Sequence, residues 1–284
     1  RLEEARQSYQ ATLARKPDMP LARLNLGITC LTLGLWKEGW AGYEWRWAGA
    51  HEAEQGRFQR IATPLPQWRG EPVQQGDGIL VFAEQGLGDT LQFCRYLPLL
   101  QQRFARVSLV CPQPLLRLVQ VSFAGVEVLS EVPLQHGDWQ WHCPLMSLPL
   151  AFGTSVDSVP ADVPYVCADE DAKRHWAQRM QAVAAGRPAV GLCWAGAQGL
   201  KDDAKRSMAL SHLAPLLQTE GLAWVSLQKG EAAAQQAQLA PGNTLHDWTS
   251  ELQDFADTAA LVSQLDLIVA VDTAVAHLAG ALGK

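Results

Sequence analysis

The sequence predicts an α/β protein: an N-terminal α-helical repeat segment, then two Rossmann-like domains facing a cleft. Three observations carry this. Residues 1–60 place apolar side chains at helical spacing, with proline stops. From residue 79 onward, short apolar runs alternate with helical patterns, as expected of strand–helix units on a parallel sheet. The alternation pauses at the crossover "VPADVPYVCADED" (159–171) and resumes at "PAVGLCWAG" (188–196), so there are two such units. With 284 residues, 48% of them hydrophobic and 18% charged, the chain can fill more than one core and is not a disordered polymer.

Taken in order, "LEEARQSYQATLARKPDMP" sets Ala5, Tyr9, Leu13 and Pro17 on a helix and its stop. The following "LARLNLGITCLTLGLWKEGWAGYEWRW" repeats Leu26, Gly27, Gly34, Trp40 and Tyr43 at helix-hairpin intervals. These positions resemble the tetratricopeptide repeat, with Ala5, Tyr9 and Pro17 in one repeat and Ala22, Leu26, Gly27 and Tyr43 in the next. Cys30 stands where an aromatic is usual, and Gly39 where alanine is usual. Such repeats are scaffolds for a peptide or protein partner, and two alone are marginal unless they stack on something. "ATPLPQWRGEPVQQGDG" (62–78) reads as a linker anchored by Trp68. Strands are expected at "ILVFA" (79–83), "RVSLV" (106–110), "VEVLS" and "WQWHC". The second unit offers "PAVGLCWAG", "LAWVSL" (222–227) and "LDLIVAV" (265–271), with helices near 169–184, 210–218, 231–238, 254–264 and 273–283. The division is 1–60 helical repeats, 61–78 linker, 79–166 first Rossmann-like domain and 167–284 second.

The formal net charge of −6 argues against nucleic acid as the main partner. An anionic ligand must then be held by a local cluster of cations or amides. Cys30, Cys94, Cys111, Cys143, Cys167 and Cys193 form no C-x-x-C pair, and most lie in apolar runs. They read as reduced core residues of a cytoplasmic protein, not a zinc site. No apolar stretch reaches the roughly 18 residues of a membrane span. The chain opens at Arg1 without a methionine and stops at Lys284 directly after a helix, so a fragment at both ends is expected.

Open parallel sheets bind ligands beyond the carboxyl ends of their strands. Four post-strand loops are therefore informative. In "AEQGLGDTLQF" (83–93), Gly86 and Gly88 permit a tight strand-to-helix turn, and Asp89 or Thr90 begins the helix. Asp89 is an ordinary cap on one reading. On the other it is a carboxylate facing the cleft, able to take a proton from an acceptor hydroxyl. "WAGAQGLKDDAKRSMAL" (194–210) opens with Trp194 and Gly196 and holds Lys201, Lys205, Arg206 and Ser207. It is a solvated loop or a clamp on a diphosphate. In "SLQKGEAAAQQ" (226–236), Gln228 and Lys229 end a strand where they are structural or bind a base or ribose. In "DLIVAVDTAVAHLAGALGK" (266–284), Asp272 or Thr273 caps a helix whose first amides form an anion site. His277 lies one turn along, and Ala274, Ala276, Ala279 and Gly280 permit close approach.

"EQGLGDTLQF", "WAG", the "KRS" loop and "DFADTAALVSQLDLIVAVDTAVAHLAGALG", preceded by the helical repeats, resemble the tetratricopeptide-linked glycosyltransferases related to the lipopolysaccharide heptosyltransferases (ADP-heptose). The resemblance implies a GT-B fold, with an acceptor-side first domain and a second domain binding a nucleotide-sugar donor. That second domain would be incomplete at Lys284. It also implies inverting transfer without a metal or resident cofactor, the nucleotide-diphosphate sugar being a co-substrate. In agreement, no D-x-D motif occurs; Asp202 and Asp203 are adjacent instead. By the resemblance, Asp89 matches the candidate base and Arg206, or Lys205 beside it, the cationic phosphate contact. Asp272, Thr273 and His277 match the phosphate-binding helix start. The acceptor is unspecified: a glycan, a lipid-linked sugar or a protein brought by the repeats. Two rivals fit the same residues: a repeat scaffold carrying a vestigial transferase fold, and a nucleotide-sugar epimerase.

Overall fold

The computed structural model describes residues 1–50, 61–133, 137–196, 203–239 and 244–284. The chain opens with helices α1 (Leu2–Arg15), α2 (Pro20–Thr32), α3 (Trp36–Tyr43) and α4 (Arg46–Gly49). Pro20 starts α2, where its missing N–H would have had no acceptor. Gly34, at φ +78°, reverses the chain between α2 and α3. The two helices touch backbone to backbone: a Cβ on Gly27 would lie 2.6 Å from the Gly42 carbonyl carbon. Gly39, the departure from the repeat pattern, has the same cause, since a Cβ there would meet Leu31 at 2.7 Å.

The next elements are β1 (Gly78–Phe82), α5 (Leu87–Phe93), α6 (Leu97–Gln101), β2 (Arg106–Val110), α7 (Leu116–Ser122), β3 (Val126–Leu129), β4 (Trp141–Pro144) and α8 (Leu148–Ala151). They are followed by α9 (Glu170–Ala184), β5 (Ala189–Cys193), α10 (Asp203–Arg206), α11 (Ala214–Leu217), β6 (Ala223–Ser226), β7 (His246–Asp247), α12 (Phe255–Val262), β8 (Leu267–Ala270) and α13 (Ala274–Ala281). Two four-stranded sheets result, ordered β3-β2-β1-β4 and β7-β6-β5-β8, with every pairing parallel. In each, the strand order reverses beside the first strand, which is where such sheets leave a crevice.

The chain forms two compact units whose limits do not follow the linear division. The first holds residues 1–85, 96–111 and 125–161; the second holds 86–95, 112–124 and 162–284. In the first unit, Ile79, Leu80 and Val81 of β1 are fully buried. Trp68, also fully buried, meets the rings of Phe104 and Phe152 edge-on at 5.3 and 5.2 Å. The predicted linker is therefore ordered: it exchanges backbone hydrogen bonds with the strand β4 through Trp68 N–H to His142 O and His142 N–H to Pro66 O.

The helical segment joins this unit through a buried charge network. Arg46, 1% exposed, donates twice to Glu84, to Oε2 from Nε and to Oε1 from Nη2, both at 2.8 Å. It also donates to Glu44 Oε1 and Ser147 Oγ at 2.8 Å. Removing one member of such a network leaves a buried charge unpaired, which is why the helices and the sheet cohere.

In the second unit, Val190, Leu192, Trp194, Leu210, Leu217 and Trp224 form one apolar cluster. Helix α9 packs on α12, whose first amides are capped by Asp254 (Ala256 N at 2.8 Å, Asp257 N at 3.1 Å). Arg117 pairs with Asp254 and Asp257, which fixes residues 112–124 to this unit. Residues Glu231–Gln238, expected as an α-helix, wind instead as a 3₁₀ helix behind Gly230 (φ +77°). The short β7 was not anticipated, because two residues carry no periodicity. Five of the six cysteines are buried and none is in a disulfide. Among the described residues no helix is long and apolar enough to cross a membrane.

Candidate functional site

Strands β5, β6 and β8 are parallel, so their carboxyl ends share one edge of the second sheet. Beyond β5 the chain is fixed by its neighbours. The Gln228 carboxamide oxygen accepts from Trp194 N (3.0 Å) and Ala195 N (2.8 Å). Gln228 is 2% exposed, so its side chain is a staple between strand ends and not a base or ribose contact. Trp194 is also no wall of a cleft: its side chain is fully buried in the apolar cluster. Lys229 donates through Nζ to the Leu252 carbonyl, which gives it a structural role too.

The basic loop is tied to the same edge. Gly196 N donates to Ser207 Oγ at 2.9 Å, and Met208 N to Trp194 O at 2.9 Å. Lys205 is exposed and Arg206 half-buried, the last two residues of the single turn of α10. Lys201 and Asp202 lie outside the described residues. Cys193, at the end of β5, sits 3.9 Å from Thr273 Oγ1 and 3.5 Å from Gln228 Oε1. Burial pushes its thiol up, so it acts as a small neutral contact between two strand ends.

Helix α13 begins at this edge. Thr273 is its N-cap residue in an extended conformation (φ −143°, ψ 167°), and its side chain caps no amide. The amides of Ala274 and Val275 point out of the first turn with no intrahelical acceptor. Asp272, just before, is exposed.

Helix α5 packs on α13, both within the second unit. A Cβ added to Gly88 would sit 2.6 Å from His277 Cδ2 and 3.2 Å from its Nε2. Gly88 is thus needed for close approach of the imidazole, not for a special backbone angle. Gly86 also has an ordinary conformation (φ −84°) and is the N-cap residue of α5. The left-handed residue of this turn is Gln85, at φ +65°. Asp89 is the third residue of α5, where its Oδ2 accepts from Gly86 N at 2.9 Å. Neither Asp89 nor Thr90 begins the helix. The sequence-predicted Gly86, Gly88 and Asp89 on one side, and Thr273, Ala274 and His277 on the other, are therefore held by one helix pair.

Beside this pair lies a cavity of about 390 Å³, lined by Gln92, Arg95, Tyr165, Asp272, Ala276 and His277 among others. Arg95 stacks its guanidinium 4.7 Å from the Tyr165 ring centre and donates to the Tyr165 hydroxyl at 3.3 Å. Tyr165 N donates to Ala281 O at 3.0 Å, fixing this residue on the end of α13. Guanidinium, phenol, carboxylate and imidazole around one small cavity suit a ligand rich in hydroxyls. Sequence reasoning missed Gln92, Arg95 and Tyr165. The signal for the first two was their spacing from Asp89, three and six residues on; Tyr165 lay in a segment read only as a crossover.

Residues 151–284 match Glycosyltransferase family 9 (heptosyltransferase). The matched segment contains Lys205–Ser207 and Asp272–His277, and Gly86–Asp89 lie outside it. The chain is also similar to Protein FlbA of Caulobacter vibrioides, 28% identical over 94% of this chain and 47% of that protein. The chain thus spans about half the length of that relative. Two solved structures share the fold. ADP-heptose lps heptosyltransferase II of E. coli matches with a TM-score of 0.53 and 16% identity, over 73% of this chain and 82% of that one. The glycosyl transferase family 9 structure from Veillonella parvula matches at 0.55 and 10%, over 74% and 80%. The match over residues 151–284 supports a glycosyltransferase, and the two solved structures show the shared α/β fold.

The Gly88–His277 contact carries a direct prediction. A methyl at Gly88 must displace the imidazole or α5, an overpacking strain of about 1–3 kcal/mol. Gly88→Ala is expected to lower the unfolding midpoint of the second unit in urea. An unchanged midpoint with an unchanged His277 NMR shift would show that the ring is not seated there.

Proposed function

We propose that this protein moves a sugar from a nucleoside-diphosphate donor to an acceptor hydroxyl, with inversion and without a metal. What supports the reading best is the Gly88–His277 contact, which joins the Asp89 turn to the open N-terminus of α13 within one unit. The Ala274 and Val275 amides and the Thr273 hydroxyl hold the donor's diphosphate, helped by the helix dipole. His277 and Arg206, with Lys205, add donors where negative charge grows. The acceptor O–H gives its proton to the Asp89 carboxylate while its oxygen bonds the anomeric carbon. The bond from that carbon to the diphosphate oxygen breaks, and the diphosphate leaves with the electron pair. Prepositioned donors lower the barrier because the charge appears as that bond breaks. Attack opposite the leaving group inverts the centre.

The E. coli protein of similar fold is named for ADP-heptose, so ADP-sugars are the first donors to test. The acceptor is a glycan, a lipid-linked sugar or a protein, and the N-terminal helices are read as tetratricopeptide-like. Cysteines that form no disulfide fit a cytoplasmic setting. The deciding test is calorimetry with ADP, GDP and UDP, followed by ligand-observed NMR with the matching nucleotide sugars. Binding of none would remove the donor site. Arg206→Ala is expected to weaken nucleoside-diphosphate binding about tenfold, near 1.4 kcal/mol; equal affinity would take Arg206 out of the site. Transfer is expected to survive EDTA at full rate, and its loss would overturn the metal-independent reading.

A further inference from the structure

The cavity beside the α5–α13 pair contains residues that the transfer chemistry does not use, all of them in the second unit. Gly280 forms part of its lining. It lies in the last turn of α13, is exposed, and has no left-handed angle. A Cβ built on it would meet no atom within 4 Å. Neither backbone conformation nor packing therefore calls for glycine, although glycine weakens a helix relative to alanine. What the missing side chain leaves is room in the cavity.

Polar groups surround that room. Tyr165 Oη accepts from Arg95 Nη2 at 3.3 Å, which leaves its own proton to give. The phenol is held in place by the Arg95 guanidinium, 4.7 Å from the ring centre, and by Tyr165 N–H on Ala281 O. Arg95 Nε donates to Gln92 O at 2.9 Å, which ties the pair to α5. Among the described residues, the Gln92 carboxamide and the Asp272 carboxylate have no hydrogen-bond partner. A donor, an acceptor and a group that is both are thus gathered around one cavity of about 390 Å³.

We propose that this cavity is the acceptor subsite and that it takes a sugar ring, not a serine or threonine of a polypeptide. Calling the ligand an acceptor rests on the transferase reading; its being a sugar ring does not. Helix α5 forms one wall, and Gln92 follows Asp89 by three residues on the same face. A ligand resting on Gln92 therefore lies one turn from the carboxylate that takes its proton. The diphosphate is assigned to the N-terminus of α13, whereas Tyr165 closes the cavity at the other end of that helix, about 12 Å away at 1.5 Å per residue. Donor and acceptor can then share α13 without overlap. The lining selects the ligand class. Ring hydroxyls give and accept on several sides, which suits separate polar groups around a small cavity. A peptide needs an open strand edge or apolar pockets for its side chains. Among the described residues, the apolar side chains lining this cavity are the methyl groups of Ala276 and Ala281.

The test uses the full chain and two variants. Gly280→Leu fills the cavity from α13, where nothing obstructs the first carbon, and improves helix propensity. Tyr165→Phe removes one hydroxyl and keeps the ring. Saturation-transfer NMR is recorded in the presence of ADP on the methyl glycosides of glucose, galactose, mannose and rhamnose, and separately on a threonine-containing peptide with blocked ends. At least one glycoside is expected to bind the wild type, to lose its signal in Gly280→Leu, and to bind about fivefold more weakly in Tyr165→Phe for want of one hydrogen bond. Calorimetric affinity for ADP should stay within about twofold in both variants. The urea midpoint of Gly280→Leu should not fall; if it does, Tyr165→Phe alone decides. Glycoside signals that survive Gly280→Leu, or none in the wild type, overturn the assignment. So does binding of the peptide that Gly280→Leu removes, which would make a polypeptide the occupant. If Gly280→Leu weakens ADP-glucose but not ADP, the donor's own sugar fills the cavity and the assignment is again overturned. Failure of the wild type to bind ADP is a separate result: it removes the donor site and the transferase reading, while the glycosides still decide whether the cavity holds a sugar.

Discussion

Asp89→Asn is expected to abolish sugar transfer while leaving the fold and ADP binding in place. The substitution isolates one function of the carboxylate. Its Oδ2 accepts from Gly86 N–H, and an asparagine oxygen can accept that same hydrogen bond, so the first turn of α5 keeps its partner. The helix loses a negative charge from its first turn, worth about 0.3–1 kcal/mol, which is too little to unfold the unit. What asparagine cannot do is take a proton. General-base assistance contributes about 10²–10⁴ in rate, so kcat should fall by that factor and the ADP dissociation constant by almost nothing. The α13 amides and Thr273, which the proposal gives to the diphosphate, are untouched. Measuring both quantities on one preparation separates the outcomes. Turnover equal to wild type would remove Asp89 as the base. A parallel loss of ADP affinity would mean that α5 supports the donor site instead, through the Gly88–His277 contact.

How much of this was legible in the sequence depends on the range of the interaction involved. The strands were readable because those of a two-sided parallel sheet are continuous apolar runs: "RVSLV" is β2 to the residue. The β4 strand starts two residues later than "WQWHC" suggests, because Trp139 turns to hydrogen-bond Ser108 Oγ at 2.9 Å across the sheet. The placement of Thr273 and His277, at the start of a helix that follows a strand, was legible from the apolar run before them. Trp194 was misjudged, and Gln228 left with two readings, for the converse reason: a strand-end position does not reveal which way the side chain faces, and here both are turned inward. Arg95 and Tyr165 are 70 residues apart and meet only in the fold. Gly86 and Gly88 drew attention as turn formers, yet the unusual angle belongs to Gln85, whose strain no composition rule would assign. That α5 groups with α13, nearly two hundred residues later, is a long-range packing that no local pattern carries.

The largest effect on stability is expected at Arg46. Arg46→Met removes a guanidinium that is 1% exposed and leaves Glu84 and Glu44 facing each other's charge in the interior. Breaking one partner of a buried ionic network costs about 3–5 kcal/mol, a large share of what holds a unit of this size together. The pH dependence identifies the cause. Burial alone would push the Glu44 carboxyl up. The Arg46 charge, with hydrogen bonds from Ser147, Arg46 and Gln67, outweighs that and holds it below the usual carboxylate range. A carboxyl depressed in the folded state stabilises the fold above its unfolded value, about 4.3, and that contribution is lost as pH falls through the lower folded value. Without Arg46 the balance reverses: burial and the neighbouring Glu84 raise Glu44, so protonation relieves the variant as pH falls. The stability deficit of Arg46→Met should therefore be widest near pH 7 and shrink by pH 4. Urea midpoints for the first unit at the two pH values measure it. A deficit of the same size at both would mean that lost packing of the arginine stem, and not the stranded carboxylates, accounts for the damage.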